Sequence, residues 1–591
     1  MIRLAQVLFA VLVLATGAAF LLAQRIKQQP KAVDAQTLTR VFSPNGDGVN
    51  DTARFSIRLE RGDDVDVTVL DRQTGREVRH LIVGRHVPAK QTFAFSWDGQ
   101  TDSGAPAPDA YYKLLITLRG QGRSSIANKR FILDRTPPRP AVAAVGPGSG
   151  PFVIPARGAR PGVTLRVADP GTQPPRWTIW RTDVPKPIAV AHIGAAQGAR
   201  QTYWDGRVNG HPAPAGTYLA QVRTRDQAGN VGLSPSQVPP RNPAQAPGRP
   251  GITVRHLGAQ VPAEPLAEGK VGEVFVDARG KPYRWRLRRV GGTRTVATGA
   301  SSSARLRLRA PSGAPGVYLL TLTSAGHVYR TPVAVAATKV TKPVLVVLPV
   351  ISWQGRNPVD DTGKGAPDTL LTTGSARLER PFAGDGLPLG FSTQEGALLA
   401  WLQRHGTGYD VTTDAALVAG RGPKLFDHDG VVLAGDPEWM PSSLGLSLRR
   451  FVSRGGTVAS FGTDALRRGV QVSGGELNHA TPPQAADLFG SRIKPIQHRR
   501  AELLTYVDKI GLFAPTAGSI TGYDAFEQTA STGGGKVVAA AGQQAGQPVI
   551  VAYRMGNGLV IRTGLPQWSQ RVGSDQETAA VTRRMWTLLS R

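Results

Sequence analysis

Residues 428–462, HDGVVLAGDPEWMPSSLGLSLRRFVSRGGTVASFG, decide how the carboxyl-terminal half of this chain is read. The order is strand, loop, helix, Gly-Gly turn, strand, which is a parallel βαβ unit. The first strand, Val431-Val432-Leu433-Ala434, exits into Gly435-Asp436-Pro437-Glu438-Trp439. Loops at the carboxyl ends of parallel strands are where such sheets hold ligands and catalysts. Asp436 and Glu438 in this loop, and Asp464 after the second strand, are therefore candidate site acids, either as a divalent-metal cluster or as strand-end caps and turns.

The same pattern extends on both sides. Pro343–Pro349 is a continuous apolar strand of the kind that parallel sheets bury on both faces. Glu395–His405 carries apolar residues at helical spacing, and Tyr409–Asp414 reads as a strand. Val549–Tyr553 and Leu559–Gly564 read as further strands, and Asp575–Leu589 as a final helix. These elements predict an α/β domain over 340–591 with a mainly parallel sheet. Ser460 ends one strand, with His428 and His479 as candidate bases. There is no G-x-S-x-G elbow, however, and no ordered Ser/Asp/His series.

At 591 residues the chain exceeds one hydrophobic core, so several domains are expected. The whole chain holds Gly 69 and Pro 46, and those that fall in the first 340 residues favour short strands and turns. Cys 0 excludes disulfides, thiolate metal sites and a cysteine nucleophile. The net charge is +29, from 71 Lys+Arg against 42 Asp+Glu. Such a chain suits an anionic partner, either wall polymer or lipid headgroups. The bases are scattered (Arg284, Arg286, Arg288, Arg289; Arg305, Arg307, Arg309) and join no nucleic-acid fold. Alternating Arg-Leu-Arg also serves a strand with one solvated face.

Residues 38–338 alternate apolar and polar positions between Gly, Pro and Asp turns, as β-sandwiches do. Three such domains are expected, over 38–136, 137–240 and 250–338. A repeat is visible: Trp97-Asp98-Gly99 leads through Gly104, Pro106 and Pro108 to Tyr111-Tyr112. Trp204-Asp205-Gly206 leads through Gly210, Pro212 and Pro214 to Tyr218, and Ala314–Leu320 is a weaker echo. These rings read as core anchors. Phe42–Thr52 carries Asn45, Asp47, Asn50 and Asp51 at short spacing, a candidate calcium loop or an Asx-rich turn. No glutamate closes it as an EF-hand would.

Leu4–Ala23 is almost unbroken apolar sequence, long enough for a roughly 30 Å hydrocarbon core. It predicts a signal-anchor over 1–31 and a single-pass membrane protein with an extracytoplasmic body. The alternative is secretion after signal cleavage. Arg25, Lys27 and Lys31 follow the span and oppose that orientation under the positive-inside rule.

Two resemblances extend these readings. The Trp-Asp-Gly repeats resemble the Ig-like domain of the flagellar-hook capping family, which implies β-sandwich spacers. VLVVLPVISWQGRN, EGALLAWLQRHGTGYDVTTDAAL, HDGVVLAGDPEWM and LRRFVSRGGTVASFG resemble the C-terminal domain of the N,N-dimethylformamidase large subunit. That resemblance implies a glutamine amidotransferase-like fold and amide hydrolysis on iron held by two tyrosines and a glutamate. Arg356 and Trp439 stand where the motif tyrosines would be, so iron is not expected here. The resulting expectation is a membrane-anchored surface protein whose degenerate, non-catalytic amidase-like domain serves binding or structural work. The alternatives are a C–N hydrolase with a site remodelled around Glu438, Asp436, Asp464 and Arg356, and adhesion to wall polymer through a basic surface.

Overall fold

The computed structural model describes residues 2–27, 33–145, 152–153, 162–241, 245 and 248–591. The apolar amino-terminal run forms a helix, Ile2–Lys27, whose described side chains, residues 6–21, are exposed. Among the described residues no helix is long and apolar enough to cross a membrane. The transmembrane signal-anchor and the single-pass membrane location are therefore withdrawn.

The rest of the chain is dominated by strand, with 44 strands against seven α-helices among the described residues. In residues 33–133 a three-stranded sheet faces a six-stranded one. Val65, Val67, Val69, Leu114, Ile116, Leu118, Phe55 and Trp97 are buried in one core cluster. A three-stranded and a six-stranded sheet recur around Trp204 and Tyr218, and a three-stranded and a five-stranded sheet around Tyr318.

The sequence repeat has a physical basis here. Trp97 Nε1 donates to Gln100 O at 2.7 Å, and Trp204 Nε1 donates to Arg207 O at 3.1 Å. Each indole thereby closes the turn that follows its own strand. Tyr112, Tyr218 and Tyr318 donate their hydroxyls to Pro108, Pro214 and Ala314, each four residues upstream, at 2.5, 2.9 and 2.5 Å. A buried phenol must satisfy its O–H, and these carbonyls do so at the same corner of each module.

The first two modules are joined by buried polar contacts. Ser43 Oγ donates to Asn230 Oδ1 at 2.6 Å, and Asn45 Nδ2 reaches the same oxygen at 3.2 Å. Asn230 Nδ2 in turn donates to Asp134 O at 2.8 Å. A loop of the carboxyl-terminal domain grips the second module: Gly251 N donates to Gly363 O at 2.8 Å, and Thr217 Oγ1 to Pro358 O at 3.3 Å.

The carboxyl-terminal domain is built on one nine-stranded sheet. In chain order its strands are β1 Val344–Leu348, β2 Asp410–Thr413, β3 Gly430–Leu433, β4 Thr457–Ser460, β5 Ala501–Asp508, β6 Ser519–Tyr523, β7 Lys536–Gly542, β8 Pro548–Met555 and β9 Gly558–Arg562. Across the sheet they run β2-β1-β3-β4-β9-β8-β7-β5-β6. The pairings from β2 to β9 are parallel, and those from β9 to β6 are antiparallel. The expected mainly parallel, amidotransferase-like α/β sheet is thus corrected to a mixed one. The reason is local: β8 and β9 are separated only by Gly556-Asn557. A two-residue turn permits a hairpin, whereas a parallel crossover needs about a dozen residues.

Helices α1 Val350–Arg356, α2 Glu395–Arg404, α3 Ser442–Ser453 and α4 Gln576–Leu589 flank this sheet. Leu444, Leu448, Phe451 and Val452 of α3 are buried with Val431, Leu433 and Val458. Leu398, Leu399, Trp401 and Leu402 of α2 belong to the other core cluster, with Val432 and Ala459. Alternate strand residues thus enter different cores, which explains the continuous apolar strands.

Candidate functional site

Five parallel strands, β2, β1, β3, β4 and β9, deliver their carboxyl ends to one edge of the sheet. The loop after β3 turns at Gly435, whose φ is +64°. A β-carbon there would run into Glu395 Oε1, so both the conformation and the contact demand glycine. Glu395, the first residue of α2, is only 1% exposed. Trp353 Nε1 donates to its Oε1 at 3.0 Å, and its Oε2 is buried without a partner. Burial pushes its pKa up to about 7. The Trp353 bond and the Arg356 charge act against that rise, and the Asp436 charge adds to it.

Asp436 does not join this carboxyl in a shared task. Its Oδ1 accepts Thr463 N at 2.8 Å and its Oδ2 accepts Gln394 Nε2 at 2.5 Å. It therefore ties together the ends of β3 and β4 and the start of α2. Ser460 Oγ, at the end of β4, is buried without a partner.

Arg356, Glu438 and Asp464 are brought together, with Arg467 and Arg468 between them. Arg356 Nε donates to Glu438 Oε2 at 2.5 Å. Arg468 Nε lies 2.9 Å from Glu438 Oε1, an ion pair although its N–H is not aimed at that oxygen. Arg468 Nη2 and Arg467 Nη1 donate to Asp464 at 3.2 and 3.1 Å. Burial raises the pKa of Glu438, and the Arg356 and Arg468 charges oppose that rise.

Trp439 is 1% exposed, with the Arg468 guanidinium 5.9 Å from its ring centre. Behind this layer Asp464 N donates to Glu527 Oε2 at 2.7 Å. The buried Arg562 binds Asp487 at 2.5 Å and Glu527 at 3.3 Å.

The iron of the amidase resemblance does not fit these residues. Both carboxylate oxygens of Glu438 already face guanidinium nitrogens. Neither Arg356 nor Trp439 can offer a phenolate oxygen. No group of three or more His, Asp or Glu side chains among the described residues is arranged to hold a metal ion.

A serine hydrolase is equally unsupported. His428 lies just before β3, at the opposite end from Ser460, with Nε2 3.2 Å from Asp410 and Nδ1 2.8 Å from Lys424 O. His479 follows the short strand Glu476–Asn478 at φ +53°.

The Asn/Asp loop near the amino terminus is a self-capped turn. Asp51 accepts Gly46 N and Gly48 N, both at 2.8 Å. Asp47 Oδ1 accepts Val49 N at 2.8 Å, and Asn45 Oδ1 accepts Asp47 N at 3.0 Å. Asn50 Nδ2 donates across the module joint to Ala228 O at 3.1 Å.

Sequence reasoning found Arg356, Asp436, Glu438 and Asp464 but missed Glu395, Asp487, Glu527 and Arg562. Glu395 reads as an ordinary acidic helix start. The others come from loops and strands up to 75 residues away from their partners. One signal was present: Arg467 and Arg468 follow Asp464 at spacings of three and four.

With this geometry in hand, the domain's class is a mixed-sheet α/β unit whose carboxyl edge is closed by ion pairs. Its relationship is more specific: residues 299–498 match the family model described as "N,N-dimethylformamidase beta subunit-like, C-terminal". The match takes in the last strands of the third module and stops before β5. No curated protein matches the chain.

Among solved structures, chicken CNTN1 FN1-FN3 domains align at 11% identity and TM-score 0.19, over 51% of this chain and 97% of that one. The exo-β-1,4-mannosidase Op5Man5 from Opitutaceae bacterium strain TAV5 aligns at 15% identity and TM-score 0.24, over 35% and 33%. A catalytic mutant of Gan42B, a GH42 β-galactosidase from G. stearothermophilus, aligns at 11% and 0.24, over 43% and 31%. The chain spans about a third of each of those two enzymes. Scores this low carry no argument about fold or function.

Proposed function

We propose that the carboxyl-terminal domain is a degenerate amidase-like domain, used for binding or structural work and not for catalysis. The observation that carries this reading is Glu438 held between Arg356 and Arg468. Guanidinium groups stand where a metal or a reacting carbonyl would have to sit, so the acid is already neutralised. The Trp-Asp-Gly modules, which resemble those of the flagellar-hook capping family, then act as spacers; their buried Trp and Tyr support that part.

One observation favours the alternative, a C–N hydrolase with a modified site. Glu395 has a pKa near 7, and a buried carboxyl poised there is suited to moving protons. A single experiment separates the two. Release of amine from formamides and short peptide amides is measured for the full chain, with and without added Fe²⁺ or Zn²⁺, beside Glu395→Gln and Glu438→Gln. The expected outcome is no turnover above the variants. Turnover that either substitution abolishes overturns the non-catalytic reading.

A further inference from the structure

The two arginine rows of the third module look alike in sequence and are unlike in the structure. Arg284, Arg286 and Arg288 lie on the strand Tyr283–Arg289, inside the five-stranded sheet. Arg305, Arg307 and Arg309 lie on Arg305–Arg309, at the edge of the facing three-stranded sheet. All six side chains are exposed, so the rows point to opposite outer faces of the sandwich.

The second row is partly spent. Arg307 pairs across the sheet with Glu273, Arg305 Nη1 lies 3.7 Å from the same carboxylate, and Arg309 Nη1 donates to Gly269 O at 3.0 Å. The first row meets no such acid. Arg286 sits between Thr298 and Thr321 in adjoining strands, and Thr321 pairs onward with the exposed Arg330. Arg284 sits between Ala300 and Thr323. None of the strands Tyr283–Arg289, Thr295–Ser301, Gly316–Ser324 and His327–Ala336 contains Asp or Glu. No ion pair joins Arg284, Arg286, Arg288 or Arg330 to an acid among the described residues. The nearest loop from the carboxyl-terminal domain offers Arg330 N only the backbone oxygen of Asp385.

We infer that this face, built on Arg284, Arg286 and Arg288 with Arg330 beside them, is a docking surface for a linear acidic polysaccharide. Alternate residues on a strand lie about 7 Å apart on one face, so three guanidinium forks form a strip about 14 Å long. A strip suits a chain of regularly spaced carboxylates, each of which a guanidinium grips by two N–H groups. The exposed Thr323 hydroxyl offers a partner for sugar hydroxyls. Nucleic acid fits less well, because single strands are held by stacking on exposed rings. Here Tyr283, Tyr318 and Tyr329 are buried, and Trp285 faces the other way, against Gly299. The surface lies outside the strand-end site and does not depend on the non-catalytic reading.

The test uses the full chain on immobilised polygalacturonate across a salt series. R284Q/R286Q/R288Q is compared with R305Q/R307Q/R309Q, which removes the same charge from the opposite face. Melting curves of both verify that the exposed substitutions leave the fold intact. The expected result is at least a ~10-fold loss of affinity near 0.1 M salt for the first variant, with a shallower salt dependence. The second stays within about twofold. Equal weakening by both, or by neither, overturns the assignment to this face. A single-stranded oligonucleotide of matched charge that binds more tightly than the polysaccharide, and loses that affinity in the first variant, overturns the choice of ligand.

Discussion

The loop at residues 45–51 and the strand-end edge at residues 436–464 both carry several carboxylates, and both read as metal sites in one dimension. They neutralise their acids by different means. In the loop the donors are backbone N–H groups no more than five residues away, such as Gly46 and Gly48 on Asp51. At the strand ends Glu438 and Asp464 are held by guanidinium groups, and for Glu438 one of them, Arg356, arrives from 82 residues away. Ligand spacing in a sequence therefore says where oxygens cluster. It does not say whether a protein cation or amide already holds them.

Four measurements would break or sharpen that contrast, the strongest first. Arg562→Met leaves Asp487 and Glu527 buried without their cation, and is expected to cost about 3–5 kcal/mol in denaturant unfolding of the full chain. A loss below 1 kcal/mol would mean that these acids need no guanidinium.

The next effect is on pH dependence. The Glu395 pKa is raised from 4.5 to about 7, so the folded domain keeps a proton that the unfolded chain releases. This contribution to stability is fully present below about pH 4.5 and is lost as the pH rises through about 7. It amounts to ~3 kcal/mol at most. Glu395→Gln should flatten the fall in melting temperature between those limits, and an unchanged slope would show Glu395 ionised throughout.

Arg356→Ala should cost less, about 1–2 kcal/mol, because its side chain is 31% exposed and Arg468 remains on Glu438. The loss should shrink at high salt. Calcium should do least: at about 1 mM it is expected to leave the melting curve unchanged, since ligand binding to the loop would raise stability by mass action. A rise of several degrees that Asp51→Asn removes would return the loop to the metal sites.

The sequence made some of this legible. The βαβ unit of β3, α3 and β4 was readable because apolar runs, a helix period and a Gly-Gly turn are local signals. The buried Trp and Tyr anchors were visible as a repeat for the same reason. The mixed sheet was not read, although its cause, Gly556-Asn557 between β8 and β9, was present in the sequence; apolar strands look the same in either direction. The site acids were found because they follow strands. Their partners were missed because hydrogen bonds between distant loops leave no period. The amino-terminal helix formed where hydropathy placed it, over Ile2–Lys27.

The joint at Asn230 has a mechanical consequence. One side-chain amide takes hydrogen bonds from Ser43 and Asn45 of the first module and donates to the Asp134 carbonyl, while the loop at Gly363 clasps the second module from the other side. Buried hydrogen bonds are directional, so bending the chain at either joint breaks them before it gains anything in return. The modules therefore behave less as beads on a string than as a stiff arm. A load on the first module thus reaches the carboxyl-terminal domain through the second.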